Sequence, residues 1–181
     1  MMQMLRPDMI ESLQGAFYEN ETLYLVSNYL NQGKDDLYQL TNARQQFSEA
    51  QIGQVAHHLL NQLDHLHSKG MVYKYLAPSN IIVTEGLQVI DENVRLRISD
   101  VAVMQLLDLT DKFSVKKISC IDRCYLAPEL LLNDPAAVIS PKTDVWSVGV
   151  ILYIMITGGM KEVADPAAQS SYEPKNLKSN Q

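Results

Sequence analysis

Apolar and polar residues alternate along this chain in blocks whose spacing predicts a series of strands and helices. Short apolar and aromatic runs over Leu13–Phe17 and Thr22–Ser27, separated by Glu19-Asn20-Glu21, predict a β-hairpin. Ser48-Glu49-Ala50-Gln51 fits a capping box, and Ile52, Val55, Ala56, Leu59, Leu60, Leu63 and Leu66 follow at helical spacing until Gly70. That pattern predicts an amphipathic helix of about 20 residues. Ile81–Val83 and Val94–Ile98 read as two short strands around a mostly polar connector, Glu85–Asn93, and the second strand delivers Asp100 to a loop. Residues 101–128 hold no sustained period and read as one long loop, of a length usually found at functional sites. Asp144–Thr157 is apolar on nearly every face, which predicts a helix enclosed by protein and stopped by Gly158-Gly159, with Asp144 as its cap and dipole partner. From Met160 the chain is polar and aperiodic, so little order is expected there. There is no internal repeat.

Composition narrows the class. With 46% hydrophobic and 20% charged residues in 181, the chain can bury the core of one domain. A net charge of −6 and a pI near 5.1 disfavour nucleic acid and anionic membrane as partners, since both require a basic surface. The longest apolar stretch, Val148–Ile156, is far short of the roughly 20 residues that cross a bilayer. Met1–Arg6 has no apolar segment of signal-peptide length, so a cytoplasmic or nuclear location is expected. Cys120 and Cys124 lack the companions of a zinc site or the spacing of a thioredoxin motif and read as ordinary thiols. His57, His58, His65 and His67 do not converge as i, i+4 pairs would, and read as satisfied or solvated side chains rather than metal ligands.

The segment that decides the class is Val72-Tyr73-Lys74-Tyr75-Leu76-Ala77-Pro78-Ser79-Asn80. It resembles the catalytic loop of protein kinases, His/Tyr-Arg-Asp-Leu-Lys-Pro-x-Asn, with Tyr75 at the position of the Asp base and Ala77 at that of the Lys. The likeness extends to Arg6-Pro7-Asp8-Met9-Ile10, to Leu23-Tyr24-Leu25-Val26, to the run Leu66–Tyr73, to Tyr125-Leu126-Ala127-Pro128-Glu129 and to Asp144-Val145-Trp146-Ser147-Val148-Gly149. The chain is thus similar to the eukaryotic protein kinases, most like serine/threonine branches of the cyclic-nucleotide-dependent and calcium-dependent types.

The resemblance implies an α+β, protein-kinase-like fold, with a partial small β lobe, a mostly helical large lobe and truncation at both ends. Residues 1–159 would form the partial domain, 1–30 the remnant of the small lobe and hinge, 31–159 the large lobe, and 160–181 a poorly ordered tail. It further implies a hinge at Asn28, Tyr29 and Leu30, and ATP contacts at Asn28, Leu30 and, as adenine floor, Ile82. Magnesium ligands would be Asn80 and Asp100. Asp144 would brace the catalytic loop. Ser114 and Ser119, around Lys116 and Lys117, sit where family members are phosphorylated and could form a charge switch.

Departures from the family pattern bear on activity. Asp-Phe-Gly is replaced by Asp100-Val101-Ala102, and the residues ahead of Tyr125 are Ile121-Asp122-Arg123 in place of Gly-Thr-Pro. Gly15 is the first glycine, so the glycine-rich loop and strand lysine of the family are not found. A phenol with pKa near 10 is a poor base, and its bulk crowds the substrate hydroxyl. Ala77 removes a cation from the γ-phosphate, and loss of acid–base catalysis alone typically lowers rates by about 10²- to 10⁴-fold. The expected function is therefore that of an inactive pseudokinase fragment acting on a protein partner, for instance a true kinase. Asn80 and Asp100 either keep a weak ATP and magnesium site or are inherited and unused, because so few ligands hold Mg²⁺ only with substrate phosphates. The alternatives are an active serine/threonine kinase represented by an incomplete chain, and a remnant that does not fold alone.

Overall fold

The computed structural model describes residues 13–27, 36–42, 46–85, 94–108, 123–131 and 138–158. Arg6–Ile10, the hinge Asn28–Leu30, most of the connector before Asn93, Ser114, Lys116, Lys117, Ser119, Cys120 and the tail from Met160 lie outside them. The hairpin forms as expected, β1 over Leu13–Glu19 and β2 over Thr22–Ser27, antiparallel, with Glu19 opposite Thr22. Its two connecting residues, Asn20 at φ 48° and Glu21 at φ 60°, are both left-handed, the twist that two-residue hairpin turns favour. Phe17 stacks on Tyr24 across the strands, with ring centroids 4.8 Å apart.

A short helix absent from the sequence expectation, α1 over Leu37–Asn42, starts where the Asp36 carboxylate accepts the Gln39 N–H at 2.7 Å. The long helix α2 spans Glu49–Ser68 and begins with the expected capping box, Ser48 and Gln51 each bonding the other's backbone N–H. Gly70, at φ 73°, follows its end. Val55, Leu59, Leu63 and Leu66 face the core, but Leu60 is exposed and Gln62 takes a core position at 1% exposure.

Gln62 is buried because it completes a sheet edge. β3 (Ile81–Glu85) and β4 (Arg95–Ile98) form a two-stranded sheet, and among the described residues only β3 has a further bridge, Asp36 to Ile82, which leaves the far edge of β4 facing α2. The Gln62 side chain donates to the Leu96 carbonyl at 2.6 Å and accepts the Ile98 N–H at 2.9 Å, and Gln54 accepts the Val94 N–H at 2.7 Å. Two glutamines thus replace a third strand, satisfying backbone groups that burial would otherwise leave unpaired.

Three expectations need correction. The stretch after Asp100 is not all loop, since Val101–Asp108 forms a helix, α3, whose first turn closes with Met104 N–H on the Asp100 carbonyl at 3.0 Å. Its residues are nearly all apolar, so no polar alternation marks the helical period. Short helices at Pro128–Leu131 (α4) and 3₁₀ turns at Pro78–Asn80 and Arg123–Tyr125 also interrupt the irregular segments.

The last helix, α5, spans Pro141–Thr157, so its N-cap is Ser140 and Asp144 lies within the first turn. Proline at the first helical position moves the start upstream, because its fixed φ suits that site and no N–H is lost. Nor is α5 enclosed on every side. Ser147, Val148, Ile151, Ile154 and Met155 are buried, whereas Val145, Trp146 (49%), Tyr153 and Ile156 (68%) are exposed. Among the described residues α2 and the turn at Arg123–Tyr125 pack on α5, which accounts for the buried face alone.

Two predictions concern α2. Gln62→Leu leaves the Leu96 carbonyl and Ile98 N–H buried without partners, at about 1–3 kcal/mol for each; urea denaturation should show a loss in that range, and an unchanged midpoint would exclude the edge role. Burial, then the neighbouring His57 and Arg95, holds the His58 imidazole below its ordinary 6.5. The neutral ring is therefore favoured in the fold, and its contribution, complete above the unfolded value, is lost as pH falls through the folded one. The melting temperature should decline below about pH 6.5, and His58→Gln should flatten part of that decline.

Candidate functional site

The irregular loop from Met71 to Ala77 has little regular pairing of its own, and a buried carboxylate supplies what it lacks. Asp144, at 0% exposure, accepts the Tyr73 N–H on Oδ2 at 2.9 Å and the Lys74 N–H on Oδ1 at 2.7 Å. Its Oδ2 also meets His67 Nε2 at 2.7 Å. Lys74 sits at φ 73°, a conformation that L-residues hold only when their surroundings compel it. The two neighbouring N–H bonds to one carboxylate provide that compulsion. The bracing role expected of Asp144 is thus visible in its contacts, whereas its partnership with His67 was not read from the sequence. The spacing His67 to Asp144 carries no local signal, being 77 residues.

From this loop the network passes to the other side of the site. The Tyr73 hydroxyl donates to the Ser99 carbonyl at 2.9 Å, and Gln105 of α3 donates to the Val72 carbonyl at 3.0 Å. Ser99 N–H bonds the Asn80 carbonyl at 2.9 Å. Asn80 and Asp100, 20 residues apart, are brought together: Asn80 Nδ2 donates to Asp100 Oδ2 at 3.2 Å, and the Ser99 hydroxyl donates to the same oxygen at 3.0 Å. Asp100, like Lys74, is left-handed, at φ 57°. One carboxylate and one amide oxygen on a partly buried rim are hard donors that suit Mg²⁺, which keeps most of its shell as water and phosphate oxygen. Among the described residues no group of three or more His, Cys, Asp or Glu could hold a metal alone.

The remaining expected residues divide. Ile82 lies on β3 between the buried Ile81 and Val83, so strand alternation puts it on the opposite face, and its backbone bridges to Asp36. Asn28 and Leu30 lie outside the described residues. Ala77 is buried, and Tyr75, half-buried, packs on apolar neighbours. Glu129 accepts the Thr143 hydroxyl at 2.7 Å, and the Ser147 hydroxyl donates to the Tyr125 carbonyl at 2.8 Å, so α5 anchors the segment after Arg123 as well as the loop.

A family model for the protein kinase domain matches residues 1–174. The chain belongs to the protein kinase family. Similar relatives include CBL-interacting protein kinase 11 of Oryza sativa subsp. japonica, 29% identical over 136 residues that cover 75% of this chain and 25% of that protein. The hormonally up-regulated neu tumor-associated kinase of Mus musculus is 30% identical over 167 residues, 91% of this chain and 21% of the relative. The chain spans about a quarter of the length of the curated relatives it matches. Its fold resembles a crystal structure of Rad53 1-466 in complex with AMP-PNP, with TM-score 0.63 at 24% identity, covering 88% of this chain and 36% of that one. The α+β kinase fold expected from the motifs is therefore the fold of this protein kinase-like chain.

Removal of the brace should be costly. Asp144→Ala leaves the buried Tyr73 N–H, the partly buried Lys74 N–H and the His67 ring without this acceptor, and should destabilise by about 3–5 kcal/mol in urea denaturation. Asp144→Asn, which keeps one acceptor oxygen, should fall between the two.

Proposed function

We propose that this kinase-family chain is a pseudokinase that acts by binding a protein partner, with at most weak residual affinity for Mg-ATP. The observation that carries this reading is the catalytic loop itself, where Tyr75 and Ala77 stand at the base and lysine positions within a fully braced frame. A phosphoryl acceptor needs a group to orient it and draw off its proton, and a neutral phenol does this poorly. Asn80 and Asp100 support the nucleotide part of the proposal, since they share a hydrogen bond and offer oxygen donors at the family's metal positions. The related fold solved with AMP-PNP supports it further.

The partner is taken to be a protein, for example an active kinase, and neither nucleic acid nor membrane. A net charge of −6 supports this, and among the described residues no helix is long and apolar enough to cross a membrane. A cytoplasmic or nuclear location goes with that reading. The pairing of Asn80 with Asp100 also favours a second reading, an active serine/threonine kinase represented here in part.

A phosphotransfer assay on a generic protein substrate separates the two. The chain should give no more product than Asp100→Ala, and transfer above that variant would establish the second reading. A thermal melt of the same samples tests the nucleotide: Mg-ATP at 100 times its Kd adds about 2.7 kcal/mol, and a rise absent from Asp100→Ala assigns the metal to that carboxylate.

A further inference from the structure

The side chain at position 75 adds something as well as removing a base. Tyr75 packs against the main core cluster and against a separate small cluster formed by Leu126 and Leu130. Among the described residues it is the one partly buried apolar side chain that packs on both. The small cluster belongs to the segment from Arg123 to Leu131, which α5 holds through Ser147 on the Tyr125 carbonyl and Thr143 on Glu129. Those bonds secure the segment from one side, and Tyr75 touches it from the catalytic loop. A carboxylate in that place would be desolvated against leucine side chains, and so has to face solvent or cations. An aromatic ring gains from the same surroundings, because it carries a large apolar area on only two rotatable bonds.

We propose that Tyr75 is an internal plug: its ring fills the space between the main core and the Leu126–Leu130 cluster and so pins the segment Arg123–Leu131 to the catalytic loop. The catalytic loop and that segment are then joined by packing, independently of whether a base is present. This goes beyond the proposed inactivity, resting only on the kinase-family reading of the loop.

Amide hydrogen exchange on the full chain tests it, because the segment carries its own reporters. Leu126 N–H bonds the Arg123 carbonyl at 3.2 Å, and Leu130 and Leu131 N–H bond the Ala127 carbonyl at 2.9 and 3.2 Å. In Tyr75→Ala these three amides should exchange at least about 10-fold faster, while those of Leu59 and Leu63 in α2 keep their rates, as local opening requires. Tyr75→Phe, which retains the ring, should stay within about twofold of the parent. Tyr75→Leu, which keeps apolar contact with less reach, should fall between and supplies the comparison if Tyr75→Ala does not fold. Unchanged rates at the three amides, or an equal acceleration in α2, would overturn the plug. Phosphotransfer by the parent chain would overturn the inactive reading instead, and leaves the exchange rates of the Tyr75 variants to decide the plug.

Discussion

The described structure depends on one buried carboxylate. Asp144 sits in the first turn of α5, where the helix dipole favours negative charge, and from there it takes two consecutive backbone N–H groups and a histidine ring. Burying a carboxylate is unfavourable unless its oxygens are satisfied, and here both are. The consequence is mechanical. α2 contributes His67, α5 contributes Asp144, and the loop between Met71 and Ala77 is drawn to their junction with Lys74 in a strained conformation. The Tyr73 hydroxyl then carries the constraint to Ser99, whose N–H and hydroxyl meet Asn80 and Asp100. The two candidate metal ligands are thus positioned by a continuous chain of hydrogen bonds that begins at α5.

How much of this could be read in the sequence followed from the range of the interactions. The hairpin, α2 with its capping box, β3 and β4 were legible because their signals are local: alternation, a cap three residues from its partner, glycine at a helix end. Leu60, counted in the apolar period, is exposed, and Gln62, outside it, is buried, since helical periodicity gives a face but not which residue of that face meets a sheet edge. Only the position of β4 explains a buried glutamine beside an exposed leucine. α3 escaped for a different reason. Its eight residues offer almost no polar contrast, and the residue before it is the left-handed Asp100, singled out for metal chemistry. The exposed apolar side of α5 also followed from composition read without placement, for a helix apolar all round is buried only where something packs on each face.

The candidate site was legible in its residues and not in its connections. Motif positions named Asn80, Asp100 and Asp144, and the structure places the first two in contact and the third beneath the loop. His67, Ser99 and Gln105 complete the network over separations of up to 77 residues, which no local pattern encodes.

Scaffold and chemistry are separable in this loop. The groups that hold it are backbone amides of Tyr73 and Lys74, a carbonyl of Val72, and the side chains of Asp144, His67, Tyr73 and Gln105. The bonds from Asp144 and the Asn80–Asp100 contact are made without the side chains of Tyr75 and Ala77. The side chains at those two positions can therefore differ from the family pattern while those bonds stay as they are. Family membership follows from the scaffold, whereas activity depends on the few side chains that the scaffold presents. At position 75 the side chain is one that fits between two apolar clusters. Such packing depends on shape and apolar area rather than on any reacting group, so it belongs to the scaffold.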